Sequence, residues 1–406
     1  MTQHVEQLAF RMEQIAMSPT MKGTIAAARL RREGVDVIDL GAGEPDFPTP
    51  PGICTAGHAA IDAQRTKYTA NMGTLEMRNA VIARYQADYG VTYAPDEVVI
   101  TAGGKQALFH AAMALYGPGD EVITHAPGWP TITEQIKLAG ARPVIVHTRA
   151  DQGFVPTAEL LLGAMTSSTR AIIINSPGNP TGALMTEDDA RVVATEAAAR
   201  GLWVIVDLCY ERLIYDGVPH NLPAIFGAVG RDRLVLAGSA SKAYAMTGWR
   251  LGWAVGPKAF ASAANALQSH TTSNASSLAQ FAGVEALTGS QQCVADMLTE
   301  YQQRRDLVLS WLAEEPRLRC TVPQGAFYLY PDVGDFLSPD GLRTSSNFCD
   351  ALLAEEHVVT TPGEAFDAPG FLRLSYAASR ETLREGVTRL IRFARAHAPQ
   401  EEPSQS

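Results

Sequence analysis

Four stretches of this chain place reactive side chains directly after short apolar runs. The run 98–101 is followed by Gly103, Gly104 and Lys105 at the start of a helix-length stretch. Bare N–H groups and the helix dipole there would hold a phosphate. The run 171–174 leads into NSPGNPTG, a polar turn with Asn175 and Asn179. The run 203–206 ends at Asp207, with Tyr210 three residues on, and the run 234–237 leads into GSASKAYAMTGWRLGW, which carries Ser239, Ser241, Lys242 and Arg250. In open α/β sheets, ligands bind beyond the carboxyl ends of the strands, so these are the positions at which chemistry is expected.

Taken singly, each signal has an ordinary explanation: a turn glycine, a capping aspartate, a solvated lysine. Together, a phosphate cradle, an acid, a phenol, an amide and a lysine at one sheet edge are the set that pyridoxal 5'-phosphate requires. Lys242 is the amine that condenses with the aldehyde, and it must be partly neutral, which desolvation and neighbouring cations arrange. Asp207 would keep the pyridine nitrogen protonated, so that the ring accepts electrons. Asn179 and Tyr210 would donate to the phenolic oxygen. Arg250, Ser239 and the amides near Gly104 and Lys105 would take the phosphate.

The elements that must position these residues follow from the hydrophobic pattern. From about residue 95 to 260, β-rich runs (EVITHA, ARPVIVH, AIIIN, LWVIVD, RLVLAGS) alternate with helix-length stretches such as KQALFHAAMALY, TITEQIKLAG and TAELLLGAM. This alternation predicts an α/β domain with a mostly parallel central sheet flanked by helices. TEDDARVVATEAAARG opens on a threonine with an acidic residue three places on, as a capping box does. The glycines and prolines of VIDLGAGEPDFPTP mark a linker. Beyond about 285 the texture becomes α+β: a polar helix, strand-like LRCTV, GAFYLYPDV and FLRLSYA, and a closing helix. The expected organisation is an N-terminal arm and part of a small domain at 1–47, a large cofactor-binding α/β domain at 48–285 and a small C-terminal α+β domain at 286–406. The tail PQEEPSQS is expected to fray.

Composition narrows the rest. Of 406 residues 46% are hydrophobic and 19% charged, enough for one or two large cores, and a net charge of −10 disfavours nucleic acid as a partner. No apolar run approaches a membrane span, so no membrane association and a cytoplasmic location are expected. The five cysteines form no C-x-x-C pair; neither a disulfide framework nor a metal site is expected.

The strings GEPDF, KYT, GGKQAL, NSPGNPTG, D-x-x-Y-E-x-L-x-Y-D-G, S-x-S-K-A-Y-A-M-T-G-W-R-x-G and F-x-R-L-S-Y resemble fold-type-I aminotransferases of the aspartate aminotransferase family, class I/II, in its bacterial branch. The resemblance runs from about Ser18 to the last helix. It implies the pyridoxal-phosphate transferase fold type I and a ping-pong transfer of an amino group between an L-amino acid and a 2-oxo acid, in amino acid metabolism and its biosynthetic reactions. By the same resemblance Lys242 is the catalytic proton shuttle, Arg373 clamps the substrate α-carboxylate, and Gly43 lies on a loop near that carboxylate. Trp129 stacks on the cofactor ring, and Asn179 also faces substrate. Tyr68 reaches the phosphate of the neighbouring subunit, which implies a homodimer with shared active sites. Lys105 and Thr20 match residues that meet a distal carboxylate, favouring aspartate or glutamate, with an aromatic or specialised substrate also open.

Two departures from the family pattern stand out. Leu208 and Cys209 replace an acidic and an aliphatic residue between Asp207 and Tyr210. Gly128 stands where the family often has an aromatic before the tryptophan, which is expected to remove bulk beside the substrate. The alternatives are another reaction on the same cofactor, such as a β-lyase, and a non-catalytic cofactor-binding regulatory module. The carboxylate clamp argues against decarboxylation. A regulatory module would need a basic DNA-binding domain ahead of GEPDF, where only about 40 residues stand.

Overall fold

The computed structural model describes residues 9–17 and 21–399. The expectations for Thr20 and for the tail 400–406 fall outside these residues. Its strands are β1 (Ile38–Asp39), β2 (Val98–Thr101), β3 (Glu121–Ala126), β4 (Arg142–His147), β5 (Thr169–Asn175), β6 (Trp203–Asp207), β7 (Leu234–Ser239), β8 (Gly252–Val255), β9 (Tyr328–Leu329), β10 (Val358–Val359), β11 (Thr361–Pro362) and β12 (Leu372–Ser375). Seven of them form the central sheet in the order β2-β8-β7-β6-β5-β3-β4. Pairing is parallel throughout except at β8, which runs antiparallel to both β2 and β7.

The inner strands are buried on both faces, which is why they read as continuous apolar runs rather than as alternating patterns. One apolar core, with Met77, Val206 and Trp253, packs on one side of the sheet. A second, with Ala111, Ile205 and Ala254, packs on the other. A third core gathers residues of β1, β9, β10 and β12 with the helices 292–312, 345–356 and 380–396, and it also takes in Tyr210, Leu213 and Tyr215, which follow β6. Among the described residues no helix is long and apolar enough to cross a membrane.

Local chemistry explains several boundaries. Helix 187–199 begins where the Thr186 hydroxyl accepts from the Asp189 N–H. The expected capping box is only half formed: the Asp189 carboxylate accepts instead from the Thr186 hydroxyl (2.6 Å) and the Ala158 N–H (2.8 Å), linking two helices. LRCTV, expected as a strand, has no strand conformation. Pro323 closes it, and its Arg319 turns to Asp332 and Asp335. Strand β8, hidden in glycine- and tryptophan-rich sequence, was not anticipated.

Candidate active site

The carboxyl ends of β5, β6 and β7 open into a cavity of about 460 Å³. Asn175 and Asp207, the last residues of β5 and β6, are register partners. Asp207 is 3% exposed and one oxygen accepts from the Cys209 N–H at 3.0 Å. Burial pushes its carboxyl up to about 6, against the pull of that hydrogen bond and of Lys242. Two residues beyond β7, Ser241 bonds Ser239, with the two hydroxyl oxygens 2.8 Å apart. Lys242 follows, its Nζ donating to the Gly43 carbonyl at 2.6 Å. Desolvation lowers the Lys242 pKa, and Arg373 and Arg250 lower it further while Cys209 and Glu44 oppose them.

Across the cavity floor, the helix Gly104–Leu115 begins at Gly103, whose φ of +85° suits glycine. A Cβ on Gly103 would sit 2.6 Å from Arg250 Nη2, so the turn and the guanidinium are packed together. Arg250 itself holds a left-handed φ of +53°, a conformation of the kind found where function constrains the backbone. Its Nη1 donates to Thr247 O. The first amides of the helix, at Gly104 and Lys105, have no intrahelical acceptor. With Ser239, Ser241 and Arg250 they make a concave set of donors.

Opposite, Arg373 on β12 is 3% exposed. Its Nη2 donates to Gly41 O at 2.7 Å and its Nη1 to Asn179 Oδ1 at 3.1 Å, while the buried Nε has no partner. Trp129 heads the helix 130–138, and the Lys105 ammonium lies 4.9 Å from its ring centroid. Desolvation and Arg250 both lower the Lys105 pKa.

The cavity thus brings together every site residue expected from the sequence except two. Tyr68 is 90% exposed and lies outside the cavity, and Thr20 is not among the described residues. The sequence reading missed Tyr328, whose hydroxyl is 2.7 Å from that of Tyr210, and Glu44, which accepts from Thr247 Oγ1. Glu44 stood in a quoted motif and was legible; Tyr328 looked like core.

Gly128 lies outside this cavity. A Cβ there would lie 2.3 Å from the His125 carbonyl, so the glycine answers a close backbone approach. It lines not this cavity but an adjoining one of about 450 Å³, which shares Lys105, Trp129 and Asn175.

These groups fit pyridoxal 5'-phosphate. The concave donor set suits a dianionic phosphate, the buried acid suits a protonated ring nitrogen, and the desolvated lysine suits an aldehyde. Arg373 lines the same cavity as Asn179 and Gly43, and its planar guanidinium suits a carboxylate there.

The profile of the family Aminotransferase class I and II matches residues 35–390. The aspartate aminotransferase of Geobacillus stearothermophilus is 40% identical over 392 residues, which cover 97% of this chain and 100% of that protein. The aspartate/prephenate aminotransferase of Cereibacter sphaeroides is 40% identical over 393 residues, 95% of this chain and 98% of the relative. The crystal structure of the aspartate aminotransferase from Rhizobium meliloti superposes with a TM-score of 0.91 at 39% identity, covering 97% of this chain and 100% of that one.

Proposed function

This chain belongs to the class I and II aminotransferases, and on that premise we propose that its amino donor is a dicarboxylic L-amino acid, aspartate or glutamate. It is a pyridoxal 5'-phosphate enzyme that moves an amino group between an L-amino acid and a 2-oxo acid. The donor reading is carried by the Lys105 ammonium: of the cations among the described residues that line the cavity, Arg373 takes the α-carboxylate, Lys242 the aldehyde and Arg250 the phosphate, which leaves Lys105 to meet a second carboxylate. Thr20 is assigned to the same distal carboxylate.

When bound, the cofactor supplies an aldehyde that condenses with amines and a ring that takes up the electron pair left at Cα. The remaining work falls to the chain. Lys242 Nζ would hold the cofactor through its aldehyde and, as the free amine, would carry the proton from the substrate Cα to the cofactor side; desolvation shifts its pKa in the direction of the neutral amine. Asp207 balances the charge of the protonated ring nitrogen. Asn179 and Tyr210 donate to the phenolic oxygen, and Trp129 covers one ring face. Arg250, Ser239 and the Gly104 and Lys105 amides bind phosphate. The planar fork of Arg373 holds the α-carboxylate beside the Gly43 loop and so keeps that group from leaving. Donor and acceptor use the same residues in turn, which is the ping-pong sequence.

Tyr68 is assigned to the phosphate of a second subunit. Its exposure and its place outside the cavity support a homodimer with shared sites. A cytoplasmic role in amino acid biosynthesis accords with these substrate classes. The adjoining cavity beyond Lys105 and Trp129 favours, as the second reading, a donor with a bulkier side chain.

The test follows the visible absorbance of the purified holoenzyme. Bleaching by L-aspartate or L-glutamate, reversed by oxaloacetate or 2-oxoglutarate, is the expected outcome. Bleaching only by aromatic or other bulky amino acids discards the dicarboxylate reading. Release of ammonia and pyruvate with no oxo acid present points to lyase chemistry.

A further inference from the structure

Tyr328 sits on β9, 1% exposed, where it is the register partner of Ser375, two places beyond Arg373 on β12. Its hydroxyl is 2.7 Å from the Tyr210 hydroxyl. The Arg373 guanidinium carbon lies 4.5 Å from its ring centroid. A Cβ on Gly43 would meet its hydroxyl at 3.2 Å. One buried side chain therefore touches the phenol, the arginine and the loop that receives Lys242. We propose that Tyr328 is a positioning residue that couples the carboxylate clamp Arg373 to the hydroxyl of Tyr210. The inference rests on the roles proposed above for those two residues.

Either hydroxyl of the pair can donate to the other. Once Tyr210 turns its proton to the cofactor's phenolic oxygen, its own oxygen can accept, and Tyr328 is the donor already in place. Donation into Tyr210 polarises its O–H and strengthens the bond it makes onward. Burial raises the Tyr328 pKa, while Arg373 and the Tyr210 hydrogen bond pull it down and Cys209 pushes it up. The guanidinium 4.5 Å from the Tyr328 ring centroid draws on the electrons of that ring and favours donation by its hydroxyl. A carboxylate that neutralises Arg373 weakens that pull, so occupancy of the clamp is passed to the phenol end of the site.

The experiment titrates the visible absorbance of the bound cofactor against pH in the parent holoenzyme, Tyr328→Phe, Tyr210→Phe and the double variant, and records kcat and KM. A donor at the phenolic oxygen favours the deprotonated form of the bound cofactor, and Tyr328 acts on that donor rather than on the oxygen, so Tyr328→Phe should move the midpoint up by about 0.1 to 0.3 pH unit, the share of one hydrogen bond that cooperative polarisation supplies. KM should change little, because phenylalanine keeps the ring face under Arg373. In the Tyr210→Phe background the second substitution should add no shift. Saturating succinate, which has no amine to transfer, should raise the midpoint in the parent and raise it less in Tyr328→Phe. An unchanged midpoint and an undiminished succinate effect in Tyr328→Phe, or a full shift in the Tyr210→Phe background, overturn the coupling while the cofactor roles stand. Absence of any visible band from the parent after cofactor is added overturns those roles and the coupling with them.

Discussion

The Nζ of Lys242 lies 2.6 Å from the carbonyl oxygen of Gly43, tying the base that follows β7 to the loop whose Gly41 carbonyl receives Arg373. The contact is exposed, so truncation of the lysine leaves the carbonyl within reach of water. Lys242→Ala should therefore fold, with a melting temperature within about 3 °C of the parent, and lose all measurable turnover. Retained transamination in that variant would remove Lys242 from the mechanism.

Asp207 gives a pH-dependent signature. Its folded carboxyl is raised to about 6, above the ordinary value in an unfolded chain. Between roughly pH 4 and 6 the native protein holds a proton that the unfolded chain has released, so stability falls as pH rises through this window, by about 3 kcal/mol in all. In the cofactor-free protein, Asp207→Asn should lack this loss and gain on the parent across the window in urea unfolding. In the holoenzyme, Asp207→Ala should lower kcat by several orders of magnitude. A loss of less than about tenfold would dismiss Asp207 as the partner of the ring nitrogen.

Arg373→Lys keeps the charge and loses the fork that bonds Gly41 and Asn179. KM for the amino donor should rise about tenfold to a hundredfold, with a smaller change in kcat. Equal KM in parent and variant would show that the carboxylate binds elsewhere.

Lys105→Ala separates the two readings of donor specificity. KM for L-aspartate should rise by about tenfold, and KM for a neutral amino acid should hold or fall. Equal effects on both would place Lys105 at the phosphate end alone.

Shared sites predict complementation. Lys242→Ala and Tyr68→Phe subunits, mixed under exchange conditions, should form mixed dimers with one intact site each, restoring parent-like cofactor retention at roughly a quarter of all sites on random pairing. No restoration after exchange has been verified by mass would confine Tyr68 to its own subunit.

Much of the cavity was legible because chemistry in an open sheet collects where apolar runs stop, and the runs ending at Asn175, Asp207 and Ser239 stop cleanly. Tyr328 was not legible: it stands inside the apolar string GAFYLY, and its meaning depends on Tyr210, 118 residues away. The reason for Gly128 was hidden for a similar cause, since a glycine seen in sequence does not say whether space or backbone demands it. LRCTV had strand composition, but the bond from Asp332 N–H to Arg319 O does not extend into a ladder, and composition alone does not supply one. Strand β8 is the converse, four residues whose neighbours β2 and β7 define it.

That strand has one more consequence. Ser239 and Gly252 are register partners across β7 and β8, so the twelve residues between them leave the sheet and return to the same rung. Lys242 and Arg250 both ride on this closed excursion, which begins and ends on one rung of the sheet. The segment behaves as a cassette clipped into the sheet at both ends. It is also stitched to the rest of the scaffold, since Thr49 bonds both Ala245 and Trp249, Thr247 donates to Glu44 and Tyr244 donates to Gln291; a single insertion inside it would throw the base and the phosphate anchor out of step with each other and with these contacts.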